Sequence, residues 1–176
     1  MSKEKKESVS IHLEEAQVKD AEKIIDFTRE IGGQTDNLTY GAEGVDLTVE
    51  QEAMFLESMQ ESDNQIMLVA FDGDKIVGLG NISASPRERL MHVGELGISV
   101  HKDYWGVGIG KYLMDELLYW AKEGKILRRI ELDVRVDNVV AIHLYKSFGF
   151  EMEGTLKGVL FDGNKYWDVY RMALMI

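Results

Sequence analysis

Trp105-Gly106-Val107-Gly108-Ile109-Gly110 sets glycine at three alternate positions between an apolar run and a periodic helical stretch. Glycine lets a main chain turn sharply and approach a ligand closely. The free N–H groups and partial positive charge of a following helix then favour an anion. Alone, a Gly-x-Gly-x-Gly run also fits a plain tight turn between a strand and a helix.

On the N-terminal flank, Gly94 to Val100 alternates, with Leu96, Ile98 and Val100 on one strand face and Glu95, Gly97 and Ser99 on the other. On the C-terminal flank, Gly110, Leu113, Met114, Leu117 and Ala121 form one helical stripe, leaving Lys111, Asp115, Lys122 and Glu123 for solvent. The unit is strand, glycine arm, amphipathic helix. A nicotinamide site is the weaker alternative: the stretch does not resemble the start of a dinucleotide-binding chain, although Asp133 lies near the spacing expected of a ribose-binding acid.

The remaining chain reads as alternating strands and helices. Ser8 to Glu14 suits a strand, and Ala21, Ile24, Ile25, Thr28 and Ile31 mark a helix ending near Gly32-Gly33. After a polar segment from Gly33 to Asp46, Thr48 and Gln51 form a capping box for a second helix whose apolar face is expected to carry Met54, Phe55 and Met59. Two strands, Gln65 to Phe71 and Lys75 to Ser83, are joined by Asp72-Gly73-Asp74. Beyond the glycine arm come a strand from Ile130 to Val136, a helix capped by Asn138 and running to about Phe148, and strands Phe150 to Leu160 and Tyr166 to Met175 about Asp162-Gly163-Asn164.

The 176 residues suit one packed domain over 9–176, with 1–8 as a charged, frayed tail. No run approaches a membrane span. The chain has no cysteine, which excludes disulfides, thiolate metal sites and a cysteine nucleophile. A cytoplasmic setting is expected from the charged start and the lack of cysteine. The net charge of −11 opposes nucleic-acid binding and either attracts a cationic substrate or simply keeps the chain soluble. His92, His101 and His143 read as surface or structural residues, and no carboxylate cluster turns any pair of them into a metal site.

A second motif, Asn138-x-x-Ala141-x-x-Leu144-Tyr145-x-x-x-Gly149-Phe150, puts Ala141, Leu144, Tyr145 and Phe148 on one helical face. On spacing alone Tyr145 is equally a core residue and Asn138 equally a simple cap. Together with the glycine arm, this stretch resembles the GNAT superfamily of acetyl-CoA-dependent N-acetyltransferases, and the element order follows that family over nearly the whole chain. One departure is Trp105, where members usually carry Arg or Gln. The resemblance implies a mixed α/β, three-layer fold (α+β in some schemes): a central twisted mixed sheet of six to seven strands flanked by about four helices.

The resemblance also implies a site. Backbone groups of Ile98, Ser99 and Val100 would bind the pantetheine of acetyl-CoA. The arm Gly106, Val107, Gly108, Ile109, Gly110 and Lys111 would hold its pyrophosphate, Asn138 would touch the cofactor, and Tyr145 would lie near the sulfur as general acid. Glu95 is the candidate general base, with an ordinary solvated glutamate as the alternative. Tyr40, Glu95 and Tyr166 are candidates for contact with the acceptor, and no metal is implied. The implied reaction is acetyl transfer by direct attack in a ternary complex, to a small primary amine such as an amino acid, a polyamine or a related metabolite. A protein lysine or N-terminus is the alternative acceptor, and a non-catalytic acyl-CoA-binding or sensor domain the alternative class. The terminal β region needs cover along its edge, which a homodimer would supply.

Overall fold

In the computed structural model, which describes residues 10–176, one seven-stranded sheet runs in the order β1-β2-β3-β4-β5-β7-β6. The strands are β1 Ile11–Glu15, β2 Ile66–Asp72, β3 Lys75–Ala84, β4 Val93–Val100, β5 Arg129–Arg135, β6 Glu151–Phe161 and β7 Tyr166–Met175. The helices are α1 Ala21–Gly32, α2 Val49–Gln60, α3 Ile109–Gly124 and α4 Val139–Ser147. The expected mixed three-layer architecture is present, with four helices. Ser8 and Val9 at the start of the first expected strand lie outside the described residues, as does the 1–8 tail.

Alternation along the strands sorts side chains into two cores. On β2, Leu68 and Ala70 join a cluster with Leu113, Met114 and Leu117 of α3, whereas Val69 and Phe71 join Ile24, Phe27 and Ile31 of α1. A period of two sends neighbours to opposite faces, so α3 and α1 cover opposite sides of the sheet. The α3 stripe is buried as its spacing requires: Leu113, Met114, Leu117 and Ala121 are at most 1% exposed.

The α2 expectation holds for the cap and fails for the face. Thr48 Oγ1 accepts from the Gln51 N–H (3.2 Å), and Gln51 Oε1 accepts from the Thr48 N–H (2.9 Å). The buried stripe, however, is Glu52, Leu56 and Met59, whereas Met54 is 69% and Phe55 39% exposed. Glu52 takes a place on the stripe and turns Met54 outward. Burial pushes the Glu52 carboxyl above the usual carboxylate range.

The feature that matters for chemistry is the one parallel pairing. β4 meets β5 only at Val93↔Arg129, Gly94↔Ile130 and Glu95↔Glu131, while β3 stays paired with β4 up to Gly78↔Val100. Past Glu95 the sheet forks.

Candidate active site

Pairing parity decides which backbone groups face the fork. The His101 N–H donates to the Val77 carbonyl (2.9 Å), which makes 77/101 a hydrogen-bonded antiparallel pair. Such pairs alternate, so Glu95, Gly97 and Ser99 turn their N–H and C=O groups toward β3, and Leu96, Ile98 and Val100 turn theirs toward β5. The Arg128 N–H donating to the His92 carbonyl (2.8 Å) agrees with this parity. Among the described residues, these edge groups have no strand to pair with beyond the fork, which is the arrangement a strand-like amide chain completes. Within the expected trio, Ile98 and Val100 present open backbone, and Ser99 turns its own toward β3.

Val100 is further constrained by Trp105. The indole Nε1–H donates to the Val100 carbonyl at 2.8 Å. The side chain that departs from the family pattern therefore closes the far end of the open edge, leaving the Val100 N–H and both Ile98 groups available.

The glycine arm follows. Gly106 (φ 78°) and Gly108 (φ 92°) hold left-handed backbone, and a Cβ at either would meet nothing within 4 Å. Conformation, rather than crowding within the chain, demands glycine at both. Gly108 is the N-cap of α3 and offers no side chain. The first intrahelical bond is Tyr112 N–H to the Gly108 carbonyl (3.0 Å), so the N–H groups of Ile109, Gly110 and Lys111 remain for an external acceptor. An anionic pyrophosphate fits this uncapped end on both hydrogen bonding and dipole.

On α4, Asn138 caps the helix by accepting the Ala141 N–H at 3.3 Å, which satisfies the simple-cap reading without a ligand. Tyr145 is 8% exposed, its ring 5.9 Å from that of Phe150. Burial alone pushes its phenol up to about 12, so it carries its proton throughout the neutral range.

The other side of the fork is polar. Ser83 on β3, Glu95 on β4 and Glu131 on β5 occupy paired positions in one row of the sheet. With Ala84, Ser85, Leu90, Val93 and Arg129 they line a groove of about 530 Å³. Buried Asn64 holds the Pro86 loop at its rim, donating to the Ser85 and Met91 carbonyls (3.1 Å each). Glu131 is committed: it accepts from Arg129 Nε (2.8 Å) and Arg171 Nη1 (3.2 Å). Glu95 is exposed and within electrostatic reach of Arg171. Of the two carboxylates at the fork, Glu131 carries hydrogen-bonded arginines and Glu95 does not. Tyr40 lies over the same face beside Ser99, and burial, countered by that serine hydroxyl, pushes its phenol up to about 12.

The fork thus separates two chemistries, an open backbone edge with an anion-ready helix end and a carboxylate-bearing groove. A family model described as the Acetyltransferase (GNAT) family matches residues 35–150. The chain belongs to that family. The L-amino acid N-acetyltransferase AaaT of Escherichia coli is 38% identical over 121 residues, covering 68% of this chain and 74% of that protein. The N-alpha-acetyltransferase RimI of Mycobacterium tuberculosis is 38% identical over 85 residues, 48% of this chain and 51% of that one. Among solved structures, a GNAT-family acetyltransferase from Streptococcus pneumoniae superposes with a TM-score of 0.92 at 38% identity, over 95% of this chain and all of that one (100%). This GNAT enzyme therefore transfers an acetyl group to an amine.

Other sequence candidates fall differently on the GNAT frame. Tyr166 is 72% exposed and packs at a tilt against Phe161 at the tip of the β6–β7 hairpin (4.9 Å between centroids). Its neighbour Trp167, which the sequence alone did not single out, packs under Arg135, whose guanidinium lies 3.8 Å over its ring. Asp133 pairs with Arg171 (2.9 Å at Nη2), an ion pair that accounts for it without a ribose. His92 and His143 are exposed, whereas His101 is buried at 2% and structural. The residues missed altogether are Glu131, Arg129 and Arg171. The signal for the first two was the alternation Arg129, Glu131, Asp133, Arg135, a charged face on a strand whose other face is Ile130, Leu132 and Val134, whereas Arg171 comes from β7.

Proposed function

We propose that this enzyme acetylates the primary amine of a small molecule, an amino acid, a polyamine or a related metabolite, by direct attack on acetyl-CoA in a ternary complex. The observation that carries the reading is the placement of Glu95 at the last paired position before the fork, on the face opposite the core that holds Tyr145. A donor laid along the Ile98–Val100 edge, with its pyrophosphate on the Ile109–Lys111 amides, would bring its thioester toward that gap, and an amine in the groove would meet it from the other side.

An alkylamine with a reference pKa near 10.4 is neutral in only about one molecule in a thousand at pH 7. Glu95, directly or through a water, takes the proton, and the nitrogen lone pair attacks the thioester carbon. The oxyanion is met by an edge N–H, that of Ile98 or Val100. As the intermediate collapses, the nitrogen releases its second proton to water, the C–S bond breaks, and Tyr145 donates its phenol proton to the sulfur and is reprotonated from solvent. A phenol near 12 is a weaker acid than a thiol near 8.5 in water. Full transfer therefore relies on the same burial raising the thiol's hold on its proton.

Asn138 and Tyr40 complete the proposed contacts, Asn138 on the cofactor and Tyr40 on the acceptor, while Tyr166 is placed at the outer rim. Residues 9–176 act as one acetyltransferase domain in the cytoplasm, without nucleic acid. The exposed edge strand β6, bearing Met152, Leu156, Val159 and Phe161, supports a homodimer. A peptide N-terminus is the second acceptor class, favoured by the likeness to RimI.

The test mixes the protein and acetyl-CoA with single L-amino acids, spermidine and an alanine-initiated peptide, reading thiol release and product mass. Amine-dependent release of CoA is expected. Acetyl-CoA binding without release for any amine would replace the enzyme reading with a sensor domain.

A further inference from the structure

The segment between α1 and α2 is fastened to both arms of the fork within three residues. Gln34 Oε1 accepts the Lys102 N–H at 2.9 Å, just past the end of β4. The Asp36 carbonyl accepts from Arg135 Nη1 at 3.2 Å, at the end of β5. Two extended residues span at most about 7 Å of chain, so the pair of anchors limits how far the two strand ends can separate.

Each anchor is itself held in place. Arg135 is gripped by Asp137 (Nε to Oδ1 2.6 Å, Nη2 to Oδ2 2.9 Å) and lies over Trp167, whose indole N–H donates to Asp162 (2.6 Å). On the β4 side, His101 Nδ1 accepts the Asp103 N–H (3.2 Å), which leaves the ring proton on Nε2 to be donated to Glu30 Oε1 (2.7 Å). With that tautomer, the Gln34 Nε2 at 3.0 Å from His101 Nε2 is a close contact and not a second hydrogen bond. Gln34 is oriented by its oxygen on Lys102 and braced by the His101–Glu30 pair from α1. Four residues beyond Asp36, Tyr40 reaches Ser99, and Gly41 passes so close to Gly32 that a Cβ there would lie 1.8 Å from its carbonyl oxygen.

We propose that residues 34–36 form a tie across the mouth of the fork, with Gln34 and Arg135 as positioning residues that hold Tyr40 over Ser99 on the acceptor side. The claim about the acceptor rests on the function proposed above, and the claim about the tie does not. Neither residue touches the Ile98 and Val100 edge or the glycine arm, so loosening the tie alters amine use while cofactor binding is retained.

Gln34→Ala and Arg135→Gln are compared with the parent chain by amide hydrogen exchange and by kinetics with the best amine of the panel above. Exchange across residues 34–46 is expected to quicken by about tenfold or more in either variant, with peptides from the glycine arm unchanged. The KM for the amine is expected to rise about tenfold and the acetyl-CoA Kd to stay within about twofold. Unchanged exchange at 34–46, or equal loosening of the glycine arm, overturns the tie. An acetyl-CoA Kd that rises in step with the amine KM overturns the positioning role. Gln34→Ala removes no contact to the β6–β7 hairpin, so it decides the matter if Arg135→Gln disturbs Trp167. A parent chain that acetylates no amine would defeat the function proposed above, with the exchange result still judging the tie.

Discussion

Tyr145 shows how far a single side chain can be read. Its spacing on α4 fits both a core residue and an acid, and the structure gives it the burial of the first and the protonation the second requires. Tyr145→Phe keeps the ring against Phe150 and removes only the hydroxyl, so turnover should drop by roughly 10²-fold while acetyl-CoA affinity, measured by calorimetry, stays the same. Its titration carries a stability signature as well. The folded phenol sits near 12 against an ordinary 10.0, so its contribution is complete below pH 10 and disappears as pH climbs toward 12. Denaturant midpoints at pH 9 and 11.5 should fall more in the parent than in Tyr145→Phe. Glu95 could be nominated from sequence, but its preference over Glu131 could not: that came from the arginines bonded to Glu131, partners 40 residues away for Arg171 and invisible to local spacing.

At the scale of elements, the glycine arm and α3 were almost wholly legible, because glycine placement and a 3.6-residue stripe are local properties. Gly108→Glu combines a left-handed backbone that rejects a side chain with a negative charge at the helix end that awaits phosphates. Calorimetry should show acetyl-CoA binding reduced beyond detection while the fold persists, since a Cβ at Gly108 meets no neighbour. What escaped was whatever depends on a neighbouring element. Ser99 looked like part of the cofactor edge until the β3–β4 register turned its amide the other way, and Met54 and Phe55 looked inward until Glu52 took their place on the stripe. The 33–46 segment had no periodicity to read, since its shape comes from Gln34, Asp36 and Tyr40 meeting distant strands. Gly32→Ala would drive a methyl into the Gly41 carbonyl; overpacking of this kind costs about 1–3 kcal/mol. The expected result is a lower unfolding midpoint together with a higher amine KM.

For the whole molecule, the order of elements and the two-sided burial followed from sequence alternation, while the fork did not. It depends on β5 pairing with β4 for only three residues while pairing with β7 on its other edge for seven, contacts between strands far apart in the chain. The same sheet ends in β6, an edge strand of 11 residues with apolar side chains in solvent. Sedimentation equilibrium is expected to give twice the 20.0 kDa chain mass, and Val159→Lys on β6 to shift it to monomer.

Because β4 and β5 part company, the sheet has a window, and in the proposed arrangement the two reactants would arrive at opposite sills. Neither would stand in the other's doorway, so loading and unloading would need no fixed sequence. A conjugate that joins an amine covalently to CoA loses this freedom, because it must be threaded through the window or admitted sideways at the mouth, past the fastening at Gln34 and Asp36. Its potency therefore develops with time: slow onset, slower escape, and an onset rate set by how often the fastening lets go.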